Sequence, residues 1–333
     1  MAVPAHIAVI IVSWNVCALL QQCLESLQRQ FTAATPQHRQ HIVVVDNASS
    51  DNTVAMVRER FPAVTLVANQ SNRGFTGGNN DGIAAAELLL KDEDPQSSYL
   101  FLLNPDTVVK PGALDTLLAF ANANPDVGLI GPQLLYEDGA IQSSRRRFLD
   151  LRTALFESTW LQGYAPKGLL DAFYMREKPD DQVCDVDWVY GAAMLVRRST
   201  YLQCGGLDEQ TFFMYSEEMD WCKRIKSTPI NEHEVASPHW RIVYLPQAQV
   251  VHYEARSSAQ VSARRAVYFN TSKVRYMRKH HGNTQAACLR IVLLALYAGQ
   301  TILEGLKWLA GHKRDMRMQR MKAYIEVLKS GLI

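Results

Sequence analysis

Residues 212–221 place three carboxylates, Glu217, Glu218 and Asp220, directly behind an aromatic run. Carboxylates are seldom buried without a partner or a task. If this segment faces a cleft, mutual repulsion and desolvation raise the pKa of at least one of them, which suits a general base. On a helix, Glu217 and Asp220 share one face, whereas Glu218 points about 100° away. The cluster is therefore able to divide catalysis and structure between its members.

The same segment also fits a purely structural role. Ser216 is a typical helix cap, acidic residues in a first turn complement the helix macrodipole, and Asp220 is spaced to pair with Arg224. Taken alone, the segment leaves capping and catalysis equally open, so the decision rests on the elements that position it.

Apolar runs alternate with helical patterns over the first part of the chain. The predicted strands are 7–12, 41–45, 64–67 and 99–103, and the predicted helices are 19–27, 49–61 and 81–90. This alternation predicts an α/β fold with a mostly parallel, doubly wound sheet flanked by helices. Ligands bind such sheets at the carboxyl ends of the strands, where polar residues stand at 13–15, 46–47 and 104–106.

The later part of the chain predicts further strands and then helices. The strands are predicted at 127–135, 187–196, 242–245 and 249–252, and the helical part from 261 onward. We therefore predict a first domain over 1–258, in two halves at about 1–110 and 111–258, and a helical C-terminal region over 259–333.

The composition predicts a globular protein with a substantial core. Of 333 residues, 47% are hydrophobic and 20% are charged, which excludes a disordered chain. The net charge of +2 argues neither for nor against nucleic acid, and no nucleic-acid partner is expected.

The six cysteines form no CxxC pair, so reduced thiols and a cytoplasmic location are expected. The run 7–12 is too short for the core of a signal peptide.

The tripeptide at 104–106, Asn-Pro-Asp, follows a predicted strand and resembles a relaxed Asp-x-Asp motif. Asp106 is suited to hold Mg²⁺ or Mn²⁺ against a diphosphate, because hard cations prefer oxygen ligands and keep substrate phosphates in their shell. His252, near polar residues at 256–258, is the candidate that completes this site. The alternative for Asp106 is a turn that caps a helix at 111–121, and a lone histidine is more often structural than a ligand.

The segment 72–80 is predicted to be a glycine-rich loop before a helix. Its glycines permit close approach of the backbone, Arg73 is able to meet a phosphate, and a helix start favours anions. The segment matches neither GxGxxG nor the Walker A pattern, and a tight turn with helix packing explains it equally well. Asp46 and Asn47, after the second strand, are suited to accept hydrogen bonds from a nucleobase or ribose, or to cap the next helix. The arginines at 145–147 either contact an anionic substrate or lie on a solvated face.

Taken in order, six stretches of the chain resemble the family 2 glycosyltransferases, most closely their rhamnosyltransferase-like branch. The stretches are 11–15, 44–51, 72–80, 102–106, 191–198 and 205–215, and the resemblance covers roughly 5–282. It implies a GT-A fold, a nucleoside-diphosphate sugar donor, dTDP- or UDP-linked, a divalent metal (Mg²⁺ or Mn²⁺), and transfer with inversion at the anomeric carbon. It further implies that residues 1–110 bind the donor and 111–258 the acceptor.

The resemblance also implies roles for individual residues. Asp46 would read the base, Asp106 would hold the metal with His252, and Gly191 and Ala192 would lie beside the sugar. The remaining residues expected around the donor are Ser13, Asn15, Asn72, Arg73, Gly74, Asn79 and Asn104.

The sequence departs from the family pattern at two positions. Glu218 stands where the family's catalytic turn usually has an Asp, so Glu218 is the first choice for the base and Glu217 the second. Asn104 stands where many relatives have Asp, which leaves Asp106 as the main charged ligand.

The C-terminal region begins with an apolar stretch at 289–303, which Arg290 and Gln300 interrupt. It is shorter than the roughly 20 apolar residues of a spanning helix. Because clustered cations follow it, peripheral membrane contact through 285–325 is one interpretation. The other is a helical hairpin that packs on the first domain or forms a homodimer.

The expected protein is an inverting glycosyltransferase that moves a sugar, with L-rhamnose as first choice, onto a cell-surface glycan or a polyprenyl-linked saccharide. It would act in the cytoplasm or on the inner face of the cell membrane. The alternative is a non-catalytic nucleotide-sugar-binding protein of the same fold. A Rossmann-type oxidoreductase is disfavoured because no GxGxxG follows the first strand.

Overall fold

The computed structural model describes residues 5–33, 39–230, 238–253 and 262–333. The chain divides into two units. The sheet unit comprises Met1–Phe148, Tyr174–Glu209 and Glu218–Ser257, and the helical unit comprises Leu149–Phe173, Gln210–Glu217 and Ser258–Ile333. The predicted boundary at 258 lies outside the described residues, as do the polar residues at 256–258, so both stay predictions.

The elements are numbered along the chain. The strands are β1 (His6–Ser13), β2 (Arg39–Asp46), β3 (Thr65–Ala68), β4 (Ser98–Leu103), β5 (Thr107–Val109), β6 (Val127–Leu135), β7 (Ile141–Gln142), β8 (Arg145–Arg146), β9 (Cys184–Asp185), β10 (Trp188–Val189), β11 (Ala193–Arg197) and β12 (Arg241–His252). The helices are α1 (Cys17–Ala33), α2 (Thr53–Arg60), α3 (Gly74–Leu89), α4 (Ala113–Ala123), α5 (Leu151–Phe156), α6 (Leu169–Phe173), α7 (Arg198–Cys204), α8 (Glu217–Ser227), α9 (Ser262–His281), α10 (Asn283–Leu309) and α11 (Arg314–Ser330). A 3₁₀ helix spans Trp160–Tyr164.

The central sheet of the sheet unit has the strand order β3-β2-β1-β4-β11-β6-β12-β5. β1 pairs in parallel with both β2 and β4, and its register places Ser13 opposite Asp46. The continuous β-branched runs of these strands are buried because helices cover both faces of a parallel sheet. The predicted α/β fold with a mostly parallel sheet is confirmed.

Strands from the later part of the chain extend the sheet by antiparallel pairing. The predicted strand at 187–196 is two strands, β10 and β11, and β11 runs antiparallel to β4 with Ala193 opposite Leu103. The predicted strands 242–245 and 249–252 form one strand, β12, which has an irregular register between Leu245 and Gln249. The short edge strand β5, which was not predicted, pairs with the end of β12 and places Thr107 opposite His252.

The prediction of a glycine-rich loop over 72–80 is wrong for most of the segment. Helix α3 begins at Gly74, so most of the segment is helical. A Cβ atom at Gly78 would lie 2.7 Å from Val12 Cγ1, and Gly82 meets Ile10 more closely still. The glycines therefore let α3 approach β1, which is the packing alternative, and Gly74 itself needs its flexibility because its φ is 73°.

The helical unit is built from α9, α10 and α11, with α5 packed on α10. Buried ion pairs join its elements, since Lys273 Nζ lies 2.8 Å from Glu157 Oε2 and Arg317 Nη1 lies 2.6 Å from Glu304 Oε2. Within the described part of the chain, α10 is the one helix long and apolar enough to cross a membrane, and its most apolar window has a mean hydropathy of 1.8.

Candidate active site

Two buried polar atoms at the carboxyl ends of β1 and β2 point to a ligand. Ser13 Oγ and Asp46 Oδ1 are inaccessible to solvent, and neither has a hydrogen-bond partner among the described residues. Asp46 Oδ2 accepts from the backbone N–H of Ser49 at 3.0 Å. A buried acceptor without a donor costs free energy, so such atoms in a polar corner are candidates for ligand contact.

Asn15 shapes the loop beside this corner. Its Oδ1 accepts from the backbone N–H of Ser50 at 2.7 Å, and its backbone N–H donates to Ser49 Oγ at 3.0 Å. The φ of 54° at Asn15 is one that asparagine adopts more readily than most residues. Asn15 thus fixes the loop geometry, and its contact with a donor stays a prediction.

Asn47, which the sequence analysis named together with Asp46, has a structural role at this edge of the sheet. Its Nδ2 donates to the backbone oxygen of Gly74 at 2.7 Å, and its Oδ1 accepts from Asn69 Nδ2 at 3.1 Å. It therefore ties the end of β2 to the start of α3.

The other polar residues at the start of α3 also make contacts within the fold. Asn72 Oδ1 accepts from the N–H of Gly74 at 2.8 Å, and Asn79 Nδ2 donates to the backbone oxygen of Phe75 at 2.8 Å. Arg73 forms ion pairs with Asp81 and, at 3.0 Å, with Glu209. These contacts account for the polar side chains without a ligand, so a donor contact for Asn72, Arg73, Gly74 and Asn79 stays a prediction.

A candidate metal site lies where β4, β5 and β12 meet. Asp106 and His252 are both buried, and His252 Nε2 lies 3.5 Å from Asp106 Oδ1 and 3.5 Å from Asn104 Nδ2. His252 Nδ1 lies 2.9 Å from Gln142 Oε1, a contact of the kind that fixes the orientation of a ligating imidazole. Edge strand β5 produces this arrangement, because it brings the chain after Asp106 alongside the end of β12.

This donor set fits a divalent cation that is completed by its substrate. Within the ranges that the structure describes, no group of three or more His, Cys, Asp or Glu side chains is arranged to hold a metal. One carboxylate and one imidazole offer oxygen and nitrogen ligands, and Mg²⁺-type sites with one or two carboxylates take further ligands from water and phosphates. Asp106 and His252 thus match such a site in chemistry, although they do not form a complete cage.

Gly191 and Ala192 contact residues on two sides, Glu218 and Asn104. The backbone oxygen of Ala192 accepts from the N–H of Asn104 at 2.9 Å. A Cβ atom at Gly191 would lie 3.7 Å from Glu218 Cγ and 3.7 Å from Phe75 Cζ. The structure therefore brings together Asn104, Gly191 and Glu218, which are far apart in the sequence.

The carboxylate of Glu218 is strongly desolvated. Burial raises its pKa from 4.5 to about 7, and hydrogen bonds from the backbone at Glu218 and Met219 oppose the rise. Its Oε2 is inaccessible and has no hydrogen-bond partner among the described residues, although the side chain as a whole is only partly buried. A carboxylate with a pKa near the working pH and one unsatisfied oxygen has the properties of a general base.

The other two acids of the cluster have different surroundings. Asp220 is fully buried and its Oδ2 lies 2.9 Å from Arg224 Nε, which confirms the predicted pairing. Arg224 also donates to the backbone oxygens of Cys204 and Gly206. Glu217 is buried as the first residue of α8 and belongs to the helical unit. Its role as second choice for the base stays a prediction.

The turn before α8 is strained and is held within the helical unit. Tyr215 and Ser216 have φ values of 71° and 65°, which non-glycine residues rarely adopt, and Ser216 lacks the extended conformation of an ordinary cap. Ser272 Oγ donates to the backbone oxygen of Met214 at 2.7 Å, and the ring of Tyr215 packs edge-on against Phe269. These contacts with α9 fix the turn that leads into the acidic cluster.

The arginines at 145–147 do not form one solvated run. Arg145 is buried, lies 2.8 Å from Asp180 and donates to the backbone oxygens of Lys178 and Pro179. Arg146 is buried and donates to the backbone oxygen of Ser143. Both guanidinium groups organise the backbone, whereas Arg147 is exposed and lies 3.8 Å from Asp187. A substrate contact for these arginines stays a prediction.

The fold is of the GT-A class, and comparison with known proteins identifies a glycosyltransferase. Residues 8–178 match the model of the family described as "Glycosyl transferase family 2", and the chain belongs to this family. The predicted family and its rhamnosyltransferase-like branch are confirmed.

Two relatives and one solved structure illustrate the likeness. The N-acetylglucosaminyl-diphospho-decaprenol L-rhamnosyltransferase of Mycobacterium tuberculosis is 29% identical over 254 residues, which are 76% of this chain and 79% of that protein. Rhamnosyltransferase WbbL of Escherichia coli K12 is 24% identical over 284 residues, covering 81% of this chain and 92% of that protein. The crystal structure of GalNAc-T7 with UDP, GalNAc and Mn²⁺ has a TM-score of 0.54 and 14% identity over 82% of this chain. The match covers 48% of that solved chain, about half its length, and shows the fold alone.

Proposed function

We propose that this glycosyltransferase moves a sugar from a nucleoside-diphosphate sugar to an acceptor hydroxyl with inversion, and that Glu218 is the base. The observation that carries the proposal is the environment of Glu218. Its carboxylate has a pKa raised to about 7 and a buried oxygen without a partner among the described residues. It also lies beside Gly191, at which a Cβ atom would lie 3.7 Å from Glu218 Cγ.

The reaction requires one carboxylate in this state. Glu218 accepts the proton of the acceptor hydroxyl as the acceptor oxygen bonds to the anomeric carbon. The bond from that carbon to the diphosphate oxygen breaks on the opposite face, and the diphosphate leaves with the bonding electrons. The transition state has oxocarbenium character, as in glycoside hydrolysis. A base with a pKa near 7 is largely ionised at slightly alkaline pH and still basic enough to accept the proton.

The donor pocket is proposed at the ends of β1 and β2. Asp46 Oδ1 and Ser13 Oγ are buried acceptors without partners in the described chain, and they suit the N–H of a pyrimidine base and a hydroxyl of the ribose. A thymine or uracil nucleotide, dTDP- or UDP-linked, supplies such donors. Asn15, Asn72, Arg73, Gly74 and Asn79 form the wall of this pocket, with Gly191 and Ala192 beside the sugar.

A divalent cation, Mg²⁺ or Mn²⁺, is proposed at Asp106 and His252. Bound there, it would neutralise charge on the leaving diphosphate. GalNAc-T7, which shares this fold, was solved with UDP and Mn²⁺, and this supports a metal-assisted diphosphate site here.

The sugar and the acceptor are inferred from the relatives. Both relatives are named rhamnosyltransferases, and one carries the name of a decaprenol-linked N-acetylglucosamine acceptor. We therefore take dTDP-L-rhamnose and a polyprenyl-diphosphate saccharide as the first substrates to test. All six cysteines, each within the described residues, are free thiols, which agrees with the proposed cytoplasmic location.

Transfer assays on the purified chain test the proposal. Wild type should transfer rhamnose from dTDP-L-rhamnose to the lipid-linked acceptor in the presence of Mn²⁺. NMR of the product should show an anomeric configuration opposite to that of the donor. Glu218→Gln should lose transfer and keep the donor-induced rise in melting temperature. Glu217→Gln is the matched control and should retain transfer. If Glu217→Gln is the inactive variant, the base is misassigned, and donor binding without any turnover would favour the non-catalytic alternative.

A further inference from the structure

Helix α10 carries an exposed apolar stripe along one side. Seven residues with spacings of three or four are all exposed: Cys288, Ile291, Ala295, Gly299, Ile302, Leu306 and Leu309. At 100° per residue they fall within an arc of about 80°, and the stripe is about 32 Å long. Ile291 and Leu309 are each 67% exposed. A continuous apolar surface of this length marks an interaction site rather than the ordinary scatter of exposed side chains.

The opposite side of α10 is part of the packing of the helical unit. Ala286, Leu289 and Leu293 are buried there, as is Glu304, which pairs with Arg317 of α11. A helix that crossed a bilayer alone would have to leave these contacts and take Glu304 into hydrocarbon, which is costly. The geometry is that of a helix that lies along a surface, with one side packed on its own unit and the other side free.

Cations are concentrated in the sequence from the C-terminal end of the stripe onward. The exposed ones are Lys307, Lys313, Arg314, Arg320 and Lys322. Lys307 Nζ and Arg320 Nη1 lie 4.0 Å and 3.9 Å from the carboxylate of Glu304, which is on the side of α10 opposite the stripe. From residue 283 to the end, the sequence has eight Lys and Arg against three Asp and Glu. The stripe is thus apolar along its length, and the chain around and after its C-terminal end is strongly basic.

We propose that α10 and α11 dock on an anionic membrane surface, with the stripe at the boundary of headgroups and acyl chains and the cations on lipid phosphates. This charge pattern decides between a membrane and a second copy of the chain. Each copy has eight Lys and Arg against three Asp and Glu from residue 283 onward, so two copies packed through this region repel each other overall, whereas anionic lipids complement the charge. The proposal stands apart from the transfer reaction, because its observations lie in the helical unit alone.

Vesicle flotation of the full chain tests the apolar part of the surface. Vesicles of phosphatidylcholine with about a third phosphatidylglycerol should bind the protein, pure phosphatidylcholine should bind it more weakly, and added salt should release it. The double variant Ile302→Glu/Leu306→Glu should weaken binding on the order of a hundredfold, since it removes two large apolar contacts. The matched control is Leu88→Glu on α3, because Leu88 is 74% exposed but lies in the sheet unit. It should bind like wild type.

A second pair of variants tests the charges. Arg320→Gln/Lys322→Gln should weaken binding to anionic vesicles by about 25-fold, which is about fivefold for each cation, and should have little effect on binding to pure phosphatidylcholine. Arg58→Gln/Lys91→Gln removes one exposed Arg and one exposed Lys from the sheet unit and should bind like wild type. Circular dichroism and melting temperature of each variant verify that it is folded.

Three results would overturn the proposal. The first is undiminished flotation of folded Ile302→Glu/Leu306→Glu. The second is a dimer in lipid-free sedimentation equilibrium that this variant breaks, which would assign the stripe to a second copy. The third is retention of the wild-type protein in vesicles after an alkaline carbonate wash, which would indicate a spanning helix. Transfer activity is not a readout in any of these experiments, so they are independent of the proposed reaction.

Discussion

Replacing Glu218 with Gln should make the folded protein more stable at alkaline pH while it abolishes transfer. Burial raises the pKa of this carboxyl from 4.5 to about 7, because the fold withholds water from the charged form. Since one pKa unit corresponds to about 1.4 kcal/mol, the ionised side chain destabilises the fold by about 3 kcal/mol at pH values above 7. The neutral amide removes this penalty.

The sign of the pH dependence follows from the protons bound. Between pH 4.5 and about 7, the folded state holds a proton on Glu218 that the unfolded state has released. The free energy of unfolding therefore falls as the pH rises through this window, and the loss is complete above it. The stability of Glu218→Gln relative to wild type should increase by about 3 kcal/mol from about pH 4 to about pH 8. The burial of the amide in Glu218→Gln contributes the same free energy of unfolding at both pH values, so it does not affect the increase between them.

Urea unfolding followed by tryptophan fluorescence at the two pH values measures the difference. Glu59→Gln is the matched control, because Glu59 is exposed on α2 and its charge stays in water. The control should differ from wild type by less than about 0.5 kcal/mol at either pH. An increase below about 1 kcal/mol for Glu218→Gln would refute the desolvation argument. In wild type, kcat/KM should rise with pH and level off above about 7, as expected for a base that must be ionised.

Three further substitutions test the rest of the site. Asp106→Asn should weaken Mn²⁺ binding in the presence of nucleotide by more than about tenfold, measured by calorimetry. Asp46→Ala should weaken nucleotide binding about 10- to 100-fold by thermal shift, because a charged acceptor is lost. Gly78→Ala should destabilise the protein by about 1 to 3 kcal/mol in urea unfolding, since its Cβ would lie 2.7 Å from Val12 Cγ1. The matched Gly299→Ala, in open space on α10, should instead be neutral or stabilising.

Each substitution has a result that contradicts its reasoning. Unchanged Mn²⁺ affinity in Asp106→Asn would remove this residue from the metal site. If Asp46→Ala binds nucleotide as tightly as wild type, then Asp46 Oδ1 does not contact the nucleotide. Equal stability of the Gly78 and Gly299 variants would show that α3 can move away from β1 without cost.

The parallel core could be predicted from sequence because its strands are local signals. The β-branched run at 7–12 is long, continuous and apolar, and β1 extends it by only one residue at each end. The same holds for β6, whose bounds Val127–Leu135 equal the prediction. Since parallel strands end at one edge of the sheet, the placement of Ser13 beside Asp46 also followed from the pattern.

Elements that depend on distant partners could not be predicted. Thr107–Val109 is too short to show a period, and it becomes β5 only because the end of β12 pairs with it. The start of α3 was missed because glycine disfavours helices in isolation, whereas here the small residues permit contact with β1. The same limit applies to the site, because the desolvation of Glu218 depends on what packs around it and not on its neighbours in sequence.

Backbone strain and desolvation near Glu218 argue for a catalytic role more strongly than the sequence motif does. Two consecutive non-glycine residues, Tyr215 and Ser216, hold a left-handed φ at about 1 to 2 kcal/mol each, and the carboxylate two positions later is desolvated. A helix cap needs neither feature, since a serine in extended conformation would cap α8 without strain. Conformations of this kind persist only where the surroundings determine them, and they cluster at functional sites. Because Ser272 and Phe269 of α9 hold the turn in place, the strain is a fixed part of the native structure. A structural role explains Asp220, which pairs with Arg224. It does not explain the strained turn at Tyr215 and Ser216 or the desolvated carboxylate of Glu218, and a general base at Glu218 accounts for both.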